Sequence, residues 1–84
     1  MTASVSTSAS IIYEPPQGVR WCVIQNRSTD TDIYLDITGA TAATVFGGLR
    51  LEPSEILSLE GTNATASVSA ITESGIATVV IQYG

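Results

Sequence analysis

Short apolar runs rich in β-branched residues recur along this chain, with Gly, Pro, Asn, Asp and Ser between them. The alternation is cleanest over residues 32–37, where Asp32, Tyr34 and Asp36 interleave with three aliphatic residues. A two-residue period is the pattern of a strand with one buried face, and no stretch has a sustained helical period. We therefore predict an all-β chain, a single small antiparallel β-sandwich or barrel of about seven short strands.

The ends and turns suggest an organisation for these strands. Residues 1–10 are small and mostly polar, which predicts an N-terminal arm, disordered or paired as an edge strand against a neighbouring molecule, before a β-sandwich domain over residues 11–84. Residues 38–44 are expected to form a long loop, with a turn or bulge at Gly47-Gly48. Residues 49–51 and 56–59 flank the turn residues 52–55 as an expected hairpin, and the last two strands are expected to be neighbours.

Size and composition limit the ways in which such a domain can be stabilised. The chain has 84 residues, is 44% hydrophobic and 13% charged, and contains one Cys and no His. So small a domain buries only about 60–65% of its unfolded surface, and it has no cysteine pair for a disulfide and no ligand set for zinc. We expect no metal or cofactor, and we expect a homo-oligomer or a docked subunit.

Charge and hydropathy limit the classes of partner that we expect for this chain. The formal net charge is −5, and three Arg are the only basic residues. Binding to a phosphate backbone depends on basic side chains, so nucleic acid is not an expected partner. The chain has no run of about 18 apolar residues and no signal-like N-terminus, so we expect neither a membrane partner nor export by the usual route.

The residue types leave little catalytic chemistry. Without His or Lys, a nucleophile has no ordinary base, and Cys22 stands in an apolar strand typical of a buried thiol. Paired carboxylates remain as a catalytic pair or calcium ligands, although a solvated strand face and turns explain their spacing as well. These acids are Asp30, Asp32, Asp36, Glu52 and Glu55. We expect that the protein is not an enzyme.

Three aromatic residues are candidate contacts to a partner or a glycan: Tyr34, Tyr13 and Trp21. Aromatic faces on β-sandwiches stack on sugars, and Tyr34 is opposite the aliphatic side of its strand. Core packing for Trp21 and an ordinary exposed tyrosine are the alternatives. The Asn-x-Ser/Thr sequences at Asn26 and Asn63 are interpreted as chance.

The strand and turn segments over residues 23–28, 32–35, 49–61, 70–71 and 75–81 resemble small β-modules of tailed-bacteriophage virions, and capsid decoration (cement) proteins most of all. The resemblance implies a virion protein on the capsid surface that binds the major capsid protein, often as a trimer. A carbohydrate-binding or adhesion module of a tail fibre or capsid surface is the alternative. In such modules Gly often follows the turn proline, whereas Ser54 stands here.

Overall fold

The computed structural model of this chain describes residues 1–39 and 42–84, which form eight strands and one short 3-10 helix. The all-β sandwich prediction is confirmed, with one strand more than the count of about seven. The elements are β1 (Thr2–Val5), β2 (Ser10–Tyr13), β3 (Trp21–Asn26), β4 (Ile33–Asp36), β5 (Leu49–Leu51), β6 (Ile56–Glu60), the 3-10 helix (Gly61–Thr65), β7 (Val68–Thr72) and β8 (Ala77–Tyr83).

The strands form two four-stranded antiparallel sheets, in the orders β1-β8-β3-β6 and β2-β7-β4-β5. The first strand thus pairs with the last, the second with the seventh, the third with the sixth and the fourth with the fifth. This is the pairing of one long hairpin rolled up so that it contributes to both sheets. The topology is that of a jelly roll, a double-sheet β-sandwich.

The core lies between the two sheets and takes apolar side chains from all eight strands. The predicted alternation of β4 is confirmed, since Ile33 and Leu35 are buried while Tyr34 and Asp36 are half-buried on the other side. Cys22 and Ile24 of β3 and the inward residues of β8 supply the facing layer. Together they make one contiguous core, and the small size of the domain limits how much apolar surface that core buries.

Three expectations about neighbouring segments meet a different arrangement. Residues 2–5, within the predicted arm, form β1 at the edge of the chain's own first sheet. The expected hairpin is wrong, because β5 pairs with β4 and β6 with β3 in the opposite sheet. The last two strands are not neighbours either, since β7 pairs with β2 and β4. In this rolled hairpin, consecutive strands other than β4 and β5 lie in opposite sheets, and the local sequence does not indicate that crossing.

The turn between β5 and β6 explains the unusual serine. Ser54 has φ +72°, and the Glu55 amide donates to the Glu52 carbonyl oxygen at 3.0 Å. Pro53 followed by a positive φ is the geometry of a type II turn, which favours Gly at the position that Ser54 holds. The Ser54 amide also donates to the Asn26 carbonyl oxygen at 2.8 Å, so the turn is tied to the end of β3.

Asn26 closes this end of the sandwich from the inside. Its side chain is fully buried, and its Nδ2 donates to the Thr31 and Leu51 carbonyl oxygens at 2.8 and 2.9 Å. Its Oδ1 accepts from the Ser28 amide at 3.0 Å and lies 2.7 Å from the Ser28 hydroxyl. Both amide hydrogens are therefore engaged, and the amide joins β3 to β5 and to the loop before β4.

The predicted loop over residues 38–44 includes residues 40 and 41, which lie outside the described residues. Beyond them the chain lies against the outer side of the second sheet. Ala43 is buried, and its amide donates to the Ser69 hydroxyl at 2.8 Å. The turn predicted at Gly47-Gly48 is confirmed, as residues 45–47 form a turn that leads into β5.

Candidate interaction surfaces

The three aromatic candidates occupy three different environments. Tyr13 is 1% exposed, and its hydroxyl donates to the Ala64 carbonyl oxygen at 3.3 Å. Its ring lies 5.7 Å from the ring of Tyr83, so it belongs to the core and is not available to a partner. Trp21 is 41% exposed on the first sheet, and Tyr34 is half-buried on the outer side of the second. The structure therefore does not bring the three together.

Tyr34 lines a polar groove of about 170 Å³ at one end of the second sheet. On the neighbouring strand, Arg50 stands directly opposite Tyr34, and its Nε donates to Asp32 Oδ2 at 2.9 Å. The carboxylates of Asp32 and Glu52 raise the pKa of Arg50 above its ordinary value. An aromatic ring beside hydrogen-bonding carboxylates and hydroxyls is chemistry suited to a sugar. The groove residues are Asp30, Thr31, Asp32, Tyr34, Glu73 and Ser74.

The carboxylates do not converge as the catalytic or calcium alternative requires. Asp30 and Asp32 line the polar groove, whereas Asp36 lies at the far end of β4. Glu55 turns back on its own loop, where its Oε1 accepts from the Glu52 amide at 2.7 Å. Within residues 1–39 and 42–84, no three Cys, Asp or Glu side chains are grouped to hold a metal ion. The outer side of β4 and the turns on which the other acids lie explain these positions.

Cys22 lies in the core, as the sequence indicated. The residue is fully buried on β3, level with Leu59 and Tyr83 of the adjoining strands. Burial raises the pKa of the Cys22 thiol, and a hydrogen bond with Tyr13 lowers it by a smaller amount. Since the thiolate is the nucleophile, a protonated and buried thiol is unreactive at neutral pH.

The most exposed large apolar residue is Phe46, at the tip of the turn before β5. Its exposed fraction is 97%. The turn beneath it is fixed, because the Gly47 amide donates to Thr44 Oγ1 and the Gly48 amide to the Thr44 carbonyl oxygen, both at 2.9 Å. A Cβ at Gly48 would lie 2.8 Å from that carbonyl oxygen, so the turn needs glycine there.

Sequence reasoning missed Phe46 as a contact residue. The available signal was the position of the chain's one phenylalanine, after a stretch of small residues and directly before Gly47-Gly48. A large aromatic residue in such a loop has little of its own chain to pack against. Aromatic side chains presented in this way are common anchors of protein interfaces.

The first sheet presents a second surface, its outward side, which we call the open face. Directly paired residues on antiparallel strands point to the same side, so the strand register defines this set. Its members are exposed or half-buried, and Glu60, at one corner, is the one charged residue among them. The open face comprises Thr2, Ser4, Trp21, Val23, Gln25, Ile56, Ser58, Glu60, Thr78, Val80 and Gln82.

The outward side of the second sheet is different in character. The segment around Ala43 covers part of it, and the ion pair between Arg50 and Asp32 crosses another part. A groove of about 290 Å³ lies between this segment and β2, with Ala9, Ile11 and Ala42 among its lining residues. The two broad sides of the sandwich thus contrast: one is partly covered and carries charges, and the other is nearly free of charge.

Comparison with family models, with curated proteins and with solved structures found no match to this chain. Across the residues that the structure describes, no helix is long and apolar enough to cross a membrane.

Proposed function

We propose that this protein is a structural virion subunit that binds the outside of a phage capsid and stabilises the shell, with the Phe46 turn as its anchor. The observation that carries the proposal is the 97% exposed Phe46 on a turn fixed by two hydrogen bonds to Thr44. Holding an apolar ring in water gains nothing for an isolated domain, whereas burying it in a partner's pocket is favourable.

Two further features support this proposal. Viral capsid domains are among the proteins that use jelly rolls, although a fold alone does not fix a function. The strand segments also resemble capsid decoration proteins. Many copies on one shell act together, so contacts that are individually weak are sufficient to oppose internal pressure.

The test adds purified protein to capsids that lack it and measures co-sedimentation and the temperature of capsid disruption. Wild-type protein is expected to bind and to raise that temperature. Phe46→Ala should weaken binding about 30-fold, the equivalent of a hot spot of about 2 kcal/mol. Ile76→Ala is the control, because Ile76 is 70% exposed in the turn between β7 and β8, at the opposite end of the second sheet.

Either of two results would count against this proposal. Wild-type protein that does not sediment with the capsids contradicts capsid binding itself. If Phe46→Ala and Ile76→Ala weaken capsid binding equally, or if neither weakens it, the assignment of the Phe46 turn as the anchor is contradicted.

The polar groove beside Tyr34 favours a second candidate function, carbohydrate binding on a tail fibre or capsid surface. Tyr34 supplies an aromatic ring, while Asp30 and Glu73 supply hydrogen-bond acceptors in the lining of the groove. Tyr34→Ala should abolish binding on a glycan array, whereas Phe46→Ala, outside the groove, should leave it unchanged. If Tyr34→Ala binds glycans with unchanged affinity, the polar groove is not the glycan-binding site.

A further inference from the structure

The open face has the composition of a contact surface between copies of this chain. Val80 of β8 and Val23 of β3 lie near its middle, with Ile56 towards one edge and Trp21 towards one end. Ile56 is 58% exposed and Trp21 41% exposed. These side chains form an apolar band among Thr, Ser and Gln, across a sheet that carries Glu60 alone as a charge.

Electrostatics favours this face for pairing over any other broad surface. The chain has a formal net charge of −5, so two copies repel each other when their acidic surfaces meet. The outward side of the second sheet holds Asp36 and the ion-paired Asp32 and Arg50, with Glu52 beside Arg50, so three carboxylates against one guanidinium would meet their copies there. Among the strand residues of two facing open faces, only the corner residue Glu60 is charged on each copy, and the exposed Arg27 follows β3 at the end away from Trp21. Pairing of these strands therefore does not bring a cluster of carboxylates together.

The available area is sufficient for a stable contact. The two longer dimensions of the domain are 34 and 23 Å. One full broad side therefore spans at most roughly 800 Å², which is about the area that each partner of a standard interface buries. A surface that meets its own copy is related by a two-fold axis, and such a contact closes at two subunits.

We infer that two copies of this protein pair through their open faces to form a two-fold dimer. The pairing gives a four-layer assembly of sheets, with Trp21 and Ile56 of each copy in the buried contact. It adds apolar burial to a domain of only 84 residues, and it does not depend on capsid binding. It differs from the trimer that the resemblance to decoration proteins implies.

The test is the molar mass of the purified full-length chain across a concentration series, by light scattering after size exclusion. Wild-type protein is expected at twice the chain mass of 8.7 kDa. Ile56→Glu, which places a charge in the open face, should raise the dissociation constant at least tenfold. Ile11→Glu is a matched control, since Ile11 is also 58% exposed and lies on the second sheet.

A second variant and a fluorescence measurement distinguish loss of the dimer from misfolding of the Ile56→Glu chain. Ser58 is already polar and exposed on the open face, directly opposite Val23, so Ser58→Glu should also give monomer with an unchanged melting temperature at low concentration. Trp21 is the only tryptophan of the chain, and its emission should shift to shorter wavelength as wild-type protein dimerises. That shift should be absent in Ile56→Glu.

The inference is overturned by a wild-type chain that stays monomeric at every concentration, or by a mass of three copies. It is also overturned if Ile11→Glu dissociates the dimer as strongly as Ile56→Glu. None of these results depends on capsids, so failure here is distinct from failure of the proposed function.

Discussion

Replacing Asn26 by Asp tests whether one buried amide holds the end of the sandwich. The change keeps size and shape, but an oxygen replaces the nitrogen that donates to the Thr31 and Leu51 carbonyl oxygens at 2.8 and 2.9 Å. At neutral pH, two buried acceptors lose their donors and face a negative charge instead. The hydrogen bonds to Oδ1 from Ser28 stay available.

The expected loss of stability is large for so small a domain. Each buried acceptor left without a donor costs about 1–3 kcal/mol, so the two together cost about 2–6 kcal/mol. A domain of this size has a free energy of unfolding of roughly 4–13 kcal/mol. Each lost kcal/mol lowers the melting temperature by about 4–8 °C, so Asn26→Asp should melt at least ~8 °C below wild type at pH 7.

The loss should also depend on pH in a predictable direction. Burial opposes ionisation of the introduced carboxyl, so its pKa in the folded state rises above the unfolded value of about 3.9. A protonated carboxyl is tolerated better, hence the destabilisation is smallest below about pH 4 and grows as pH rises towards 7. The assay is urea unfolding at both ends of that range.

Asn63→Asp is the matched control, because it makes the same chemical change at an exposed asparagine of the 3-10 helix. We expect it to change stability by less than about 0.5 kcal/mol at either pH. Equal, small effects of Asn26→Asp and Asn63→Asp would refute the assigned role of the Asn26 amide.

Three further predictions concern local features of the fold. Ser54→Gly should stabilise the protein by about 0.5–1 kcal/mol in urea unfolding, because Ser54 has φ +72°. Ser74→Gly is the control and should not stabilise the protein, because Ser74 has no positive φ. Equal effects of the two changes would contradict the strain argument. Cys22 should react with a thiol reagent at about pH 8 only after unfolding, since burial raises its pKa, so rapid labelling of the native protein would contradict its core position. Burial and the nearby Cys22 raise the pKa of Tyr13, so its contribution to the free energy of unfolding should be fully present below about pH 10 and be lost as pH rises further. Between about pH 9 and about pH 11, Tyr13→Phe should therefore lose less stability than wild type. An equal loss in the two proteins would exclude Tyr13 as the source.

The sequence predicts individual strands well because alternation is a local property. Residues 33–36 form β4 with the predicted inward and outward sides, and Pro53 marks a turn that the structure contains. Strand partners were less predictable. Thr2–Val5 contains few large apolar residues, yet its backbone pairs along β8, and main-chain hydrogen bonds form there whichever side chains are present.

The candidate surfaces were predictable only in part. Tyr34 lies on the outer side of its strand as the alternation indicated, whereas Tyr13 is drawn into the core beside Tyr83. Asn26 has the sequence appearance of an exposed turn residue, but its amide satisfies backbone carbonyl groups that meet only after β5 is in place. The open face depends on which strands lie side by side, and no local pattern specifies that.

The central claim is that the protein works by contact with a capsid, anchored by Phe46. Hydroxyl-radical labelling of aromatic residues, compared between free and capsid-bound protein, tests it most directly. Labelling of Phe46 should fall several-fold on the capsid, while labelling of Tyr34 in the polar groove should stay as it is in the free protein. Phe46 labelled equally in both states, with Tyr34 protected instead, would contradict the proposal and favour the groove as the binding site.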